Sequence, residues 1–208
     1  MKNGAFADIE RGADSSLRAR EVIDGSDLFL IPGLWDMHVH VRLANEGAAD
    51  MDVAQFPAHG VTSVRDAGGY PERIAKLRKA IASGETRGPT IYSVGPTLNG
   101  EQYAPFHRTL RTRENVIATV DAIAADGVDM VKIHRAFLPE LLPVVVEAVH
   151  ARGLKLTGHV PLKVSPLQAC ELGMDGIEHV GSLLEAYKSV TQTTNEQAFA
   201  YFDSDEAR

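Results

Sequence analysis

Residues 126–134 read Asp-Gly-Val-Asp-Met-Val-Lys-Ile-His, or DGVDMVKIH. A glycine closes whatever precedes it, and a short apolar run follows at once. The same grammar recurs as HG-VTSVRD at Gly60 and as RG-LKLTGHV at Gly153. A less regular copy, LGMDG-IEHV, carries Gly173 and Gly176. Glycine just past a helix end takes left-handed backbone without a Cβ penalty. Short apolar runs bounded in this way read as fully buried parallel strands.

The segments between these runs have helical spacing. Pro71 opens PERIAKLRKAIAS, with Ile74, Leu77 and Ile81 on one face. Thr112 is placed to cap RENVIATVDAIAADG, where Val116, Val120 and Ile123 align. In LPELLPVVVEAVHARG, Pro139 and Pro143 imply an irregular first turn. Ser165 and Pro166 make an N-cap and first helical residue for SPLQACELG, in which Cys170 reads as a small core residue. SLLEAYKSV, after residue 181, is a further helical candidate.

Strands are expected near residues 30–41, 61–66, 90–95, 128–134, 155–160 and 176–180. Strand–helix alternation implies an α/β fold with a parallel sheet and helical crossovers, either a barrel or an open doubly wound sheet. No G-x-G-x-x-G follows a strand and no P-loop is present, which weakens the case for a nucleotide-binding sheet. Residues 1–30 differ from the rest. REVI-DGSD-LFLI reads as a hairpin around Asp24-Gly25. The expected division is therefore 1–30, a small β domain, and 31–208, the α/β domain.

The 208 residues are 44% hydrophobic and 24% charged, and 21 basic against 28 acidic side chains give a net charge of −7. A nucleic-acid partner would need clustered Lys and Arg, so none is expected. No apolar stretch approaches the ~20 residues that cross a bilayer, so no membrane partner is expected either. One cysteine excludes an internal disulfide framework. MKNGAFADIERG lacks the basic and apolar regions of a secretion signal. That points to the cytoplasm if this methionine is the true start.

The chemistry-bearing residues lie at the ends of the expected strands. His38 and His40, in LIPGLWDMHVHV, are two apart on a strand and project together. Imidazole is a good ligand for zinc and similar ions. The alternative is a pair of hydrogen-bonding histidines at a strand end. His159 ends LKLTGHV and His179 ends GIEHV. In parallel barrels the C-terminal face carries the active site. Lys132 sits inside an apolar strand, where it either snorkels to the rim or is buried with a lowered pKa. A neutral buried amine can react with carbon dioxide to give a carbamate able to bridge two cations.

PGLWDMHVH, with the later V-K-I, T-G-H-V and I-E-H-V segments, resembles the ordered signature of the amidohydrolase superfamily. The resemblance runs from about residue 20 to 182. GLWDMHVH, HGVTSVRDAGG and GHVP are most similar to the branch with imidazolonepropionase-like proteins and prolidase-type dipeptidases. The resemblance implies a TIM-like (β/α)8 barrel, of which about six strands are here, preceded by the remnant of an N-terminal β-sandwich. It implies two divalent metal ions, zinc foremost, with His38 and His40 on the first, carboxylated Lys132 bridging, and His159 and His179 on the second. It implies hydrolysis of an amide or peptide C–N bond of a small molecule or dipeptide by a metal-bridging hydroxide.

Arg65, His134 and His107 are candidate substrate contacts. Arg65 could pair a carboxylate or form a structural pair with Asp66, and His107 could belong to a lid loop. The strand-eight aspartate that such enzymes use as proton shuttle has no counterpart here, since Asp203 and Asp205 lie in a polar tail. The chain reads as truncated at both ends, and self-association through unclosed barrel edges is expected. The rival reading is a catalytically incomplete or non-catalytic module that keeps its metal ligands. A mononuclear deaminase-like enzyme, with no need of Lys132 as a bridge, is a third.

Overall fold

The computed structural model describes residues 9, 20–41, 53–194 and 196–197. It divides into two units, Met1–Pro32 and Gly33–Arg208. In the first, residues 20–32 contain a turn and no strand. The Leu28 N–H donates to Gly25 O at 3.0 Å, and the Asp24 carboxylate accepts from the Ser26 N–H at 2.9 Å and Ser26 Oγ at 2.7 Å. The expected hairpin is thus present only as its turn. Two four-residue arms gain little unless a third strand or an apolar layer supports them. Val22, Ile23, Phe29 and Leu30 are all exposed. The rest of the expected β-sandwich remnant falls on residues 1–19, which lie outside the described residues apart from Ile9.

The second unit alternates strand and helix as its glycine punctuation implies. It comprises β1 (Leu34–Val39), a helical stretch α1 (53–58), β2 (Val61–Asp66), α2 (Pro71–Ser83), β3 (Thr90–Ser93), β4 (Thr97–Asn99), β5 (His107–Thr109) and α3 (Arg113–Ala125). There follow β6 (Met130–Ile133), a 3-10 turn (Pro139–Leu141), α4 (Leu142–His150), β7 (Lys155–Gly158), α5 (Pro166–Glu171) and α6 (Val180–Thr191). Every strand pairing is parallel. One sheet has the order β1-β2-β3 and the other β5-β4-β6-β7.

Local chemistry sets the boundaries. The Thr112 hydroxyl accepts from the Asn115 N–H at 3.2 Å and caps α3. Ser165 and Gln168 cap α5 reciprocally. Pro139 yields a 3-10 turn before α4 begins, the irregular start that the two prolines imply. Cys170 departs from expectation. It is exposed, because the short α5 buries Ala169 and turns its neighbour about 100° away.

Two strands also differ from their expected form. The third breaks at Gly95 (φ +67°) and Pro96, and resumes as β4. Asp129 joins β3 to the base of β6. Its N–H donates to Ser93 O at 2.9 Å, and its carboxylate accepts from the Ser93 N–H at 2.7 Å and from Arg78. Residues 176–179 are not a strand. They run beside β7, tied by the Gly176 N–H to Leu156 O at 3.2 Å and the Glu178 N–H to Gly158 O at 2.8 Å.

Strand alternation then separates core from site. Val131, Ile133 and Leu156 face the apolar layer formed with Val116, Val120, Leu142, Val145 and Val149 of α3 and α4. A second layer gathers Val64, Ile74, Leu77 and Ile91 between α2 and the first sheet. Lys132 and Thr157, which are partners in register, alternate with these core residues and are buried on the opposite side of the strands.

Candidate active site

His38 lies at the C-terminal end of β1 and His40 directly follows that strand, and the path of imidazoles begins there. Their ring centroids are 5.4 Å apart. From His38 the next ring is His179 at 4.3 Å, then His159 at 5.1 Å, then His134 at 4.4 Å, then His107 at 5.1 Å. Six imidazoles from distant parts of the chain therefore form one continuous path. Tyr103 stacks on His134 at 5.0 Å, and Phe106 lies 6.1 Å from His40.

Lys132 is 2% exposed, and its Nζ donates to Ala67 O at 2.8 Å. Burial lowers its pKa to about 8. Burial also favours the neutral form of four of these imidazoles, with His159 lowered to about 3, His134 to about 4, and His38 and His107 below their ordinary value. Asp66, completely buried, accepts from the Val41 N–H at 3.0 Å, and burial raises its pKa.

Glu178 has the same access to this region and was not singled out from the sequence. Its Oε2 lies 2.7 Å from His38 Nδ1, and its Oε1 accepts from Arg65 Nη2 at 2.5 Å and Thr157 Oγ1 at 2.8 Å. Burial opposes its charge, but the bonds from His38 and Thr157 and the Arg65 cation outweigh this and keep its pKa below the ordinary carboxylate value. Adjacent residues of a strand face opposite ways, so Glu178 and His179 would be separated by simple alternation. Here His179 has φ +62°, in left-handed territory that non-glycine residues rarely adopt, and both side chains reach His38. The only sequence signal was a carboxylate beside a strand-end histidine.

The candidate substrate residues divide. His134 follows β6 and is half-buried in the ring path. His107 is 5% exposed and opens β5, paired with Thr97, at the edge of that sheet. Arg65 turns inward to Glu178, to Met37 O at 2.7 Å and to the Met130 sulfur at 3.8 Å. Its partner is Glu178, not the neighbouring Asp66.

As chemistry, this donor set suits a borderline divalent cation, since neutral imidazoles and a readily deprotonated amine are available together. His159 Nδ1 is buried without a hydrogen-bond partner, as is Asp66 Oδ2. The donors do not form a closed cage, and among the described residues no three His, Cys, Asp or Glu side chains gather as ready ligands.

No protein-family profile matches the chain. In sequence it is 26% identical to ochratoxinase of Aspergillus niger, over 73% of this chain and 43% of that enzyme. In structure it superposes on bottromycin amidohydrolase with a TM-score of 0.64 at 20% identity, covering 81% of this chain and 36% of the other. A Xaa-Pro dipeptidase with methionine bound in its active site gives 0.58 at 24% identity, covering 77% and 51%. The chain resembles the amidohydrolases in sequence and has their α/β fold. It spans less than half the length of ochratoxinase and about half that of the dipeptidase.

Proposed function

We propose that this chain is part of a metal-dependent amidohydrolase that cleaves an amide or peptide C–N bond in a small substrate such as a dipeptide. The observation that carries the reading is the path of imidazoles His40–His38–His179–His159 beside the buried amine of Lys132. The strands that bear these residues would form part of a (β/α)8 barrel with the site at their C-terminal ends. His38 and His40 would hold one divalent ion, His159 and His179 a second, and Lys132, as its carbamate, would bridge them. Two such ions, zinc foremost, would supply Lewis acidity and make hydroxide available near neutral pH.

The chain's own residues have defined tasks. Glu178 and Gly68 O engage the Nδ1 atoms of His38 and His40. Burial keeps Lys132 deprotonated more often than an exposed lysine, as carbamate formation requires. His134 and His107, with Tyr103 stacked beside them, would contact the substrate. The apolar layers behind the strands hold this face rigid.

A non-catalytic module that retains the metal residues is the rival reading, favoured by the absence of three gathered ligands among the described residues. Zinc content per chain, measured after reconstitution with and without bicarbonate, separates the two. About two zinc ions per chain with bicarbonate, and fewer without, supports the binuclear site. One ion regardless of bicarbonate points to a mononuclear enzyme, and none refutes the metal reading. Hydrolysis of Xaa-Pro dipeptides and N-acyl amino acids by the reconstituted chain then tests turnover.

A further inference from the structure

The partners of Glu178 determine which nitrogen of His38 carries its proton. Arg65 can only donate, and Thr157 must donate when it meets a carboxylate. Both bond Oε1, at 2.5 Å and 2.8 Å. Oε2 is left to His38 Nδ1 at 2.7 Å. A carboxylate offers only lone pairs, so a neutral His38 bonds it with Nδ1–H and keeps the lone pair on Nε2. His40 obeys the same logic by another route, since its Nδ1 lies 3.1 Å from Gly68 O, again an acceptor alone.

We propose that Glu178 is a positioning residue that locks His38 in the Nδ1–H tautomer, leaving Nε2 as the ligand atom, and that Arg65 and Thr157 set the carboxylate for that task. The tautomer itself follows from the hydrogen bonds. Its use in holding a cation rests on the proposed hydrolytic site. Carboxylate partners of this kind change metal affinity by on the order of 10–100-fold.

Glu178→Gln gives a sharp test because the two donors on Oε1 dictate how an amide must sit. The amide oxygen faces Arg65 and Thr157, and the NH2 group then faces His38. An NH2 group donates, so His38 Nδ1 must accept and the imidazole proton moves to Nε2. Long-range 1H–15N correlation spectra of the metal-free full chain distinguish the two tautomers. The expected result is Nδ1–H in the wild type, Nε2–H in E178Q, and zinc affinity weakened about 10–100-fold in the variant.

An unchanged His38 tautomer in a folded E178Q, or unchanged zinc affinity, overturns the proposal. If E178Q does not fold, the wild-type spectrum decides, because an Nε2–H His38 there is equally fatal. If zinc fails to bind the wild type, the hydrolase reading falls, while the tautomer assignment is still judged by the spectra.

Discussion

Gly158, the glycine of the T-G-H-V segment, is where a single methyl group should do the most damage. Its φ is +134°, and a Cβ built there would lie 2.1 Å from Ile133 O and 2.8 Å from Ile133 N, backbone atoms that cannot turn aside. Ile133 O accepts the His159 N–H at 3.1 Å, and Gly158 O accepts the Glu178 N–H at 2.8 Å. Gly158→Ala must therefore push β7 from β6 at the level of two site residues. Backbone strain of about 1–3 kcal/mol and two weakened hydrogen bonds of about 1 kcal/mol each give a destabilisation of roughly 3–5 kcal/mol. Gly60 is the control. Its φ is +81°, but a Cβ there meets nothing within 4 Å, so Gly60→Ala should cost only about 1 kcal/mol. In urea, with a slope of roughly 2 kcal/mol per molar, G158A should lower the midpoint by about 2 M and G60A by about 0.5 M. Equal shifts in the two variants would refute the claim that close strand approach, and not turn conformation, requires glycine before His159.

Lys132→Met removes a buried amine whose folded-state pKa, about 8, lies below its ordinary 10.5. The charged form opposes folding below pH 8, and the opposition fades as pH rises toward 10.5, so the wild type should gain on the order of 3 kcal/mol relative to K132M across that window. K132M should be the more stable protein at pH 7 and should lose bicarbonate-dependent zinc uptake, as denaturation at both pH values and metal analysis will determine. Burial raises the pKa of Asp175, but Lys155, His150 and the Leu156 N–H outweigh it and bring the carboxyl down to about 2. Its stabilisation is present above pH 3.8 and is lost as pH falls through 2. Asp175→Asn should cost about 1 kcal/mol at pH 7, discounted for its solvent-exposed partners, and nearly nothing at pH 2. Finally, β1 pairs only with β2 among the described residues and exposes Leu34, Trp35 and Met37. Sedimentation velocity should reveal concentration-dependent association, and a monomer at all concentrations would count against an adhesive edge.

The Arg65–Glu178–His38 chain also links the stability of the fold to the proposed metal site. Glu178 is buried with two donors and an imidazole, so removing any one member leaves unsatisfied groups in a low-dielectric setting. Substitution of Arg65 would therefore disturb His38 through Glu178 even though the two side chains share no direct bond.

Most of the architecture was legible in the amino-acid order because it depends on local rules. Glycines at helix ends, capping residues at 112 and 165, and apolar spacing identify the helices and most strands without knowledge of their partners. His38, His40, Lys132, His159 and His179 could be picked out because each stands at or near the end of such a run. What the order of residues could not reveal depends on meetings between distant segments. Among the described residues the hairpin near Asp24 formed only its turn, the third strand broke at Gly95, and Cys170 turned to solvent. Glu178 entered the site through the positive φ of His179, a backbone state that alternation rules do not anticipate. Arg65 found its carboxylate 113 residues away. Periodicity reports which face of an element is apolar, but only packing in three dimensions decides which charges meet across it.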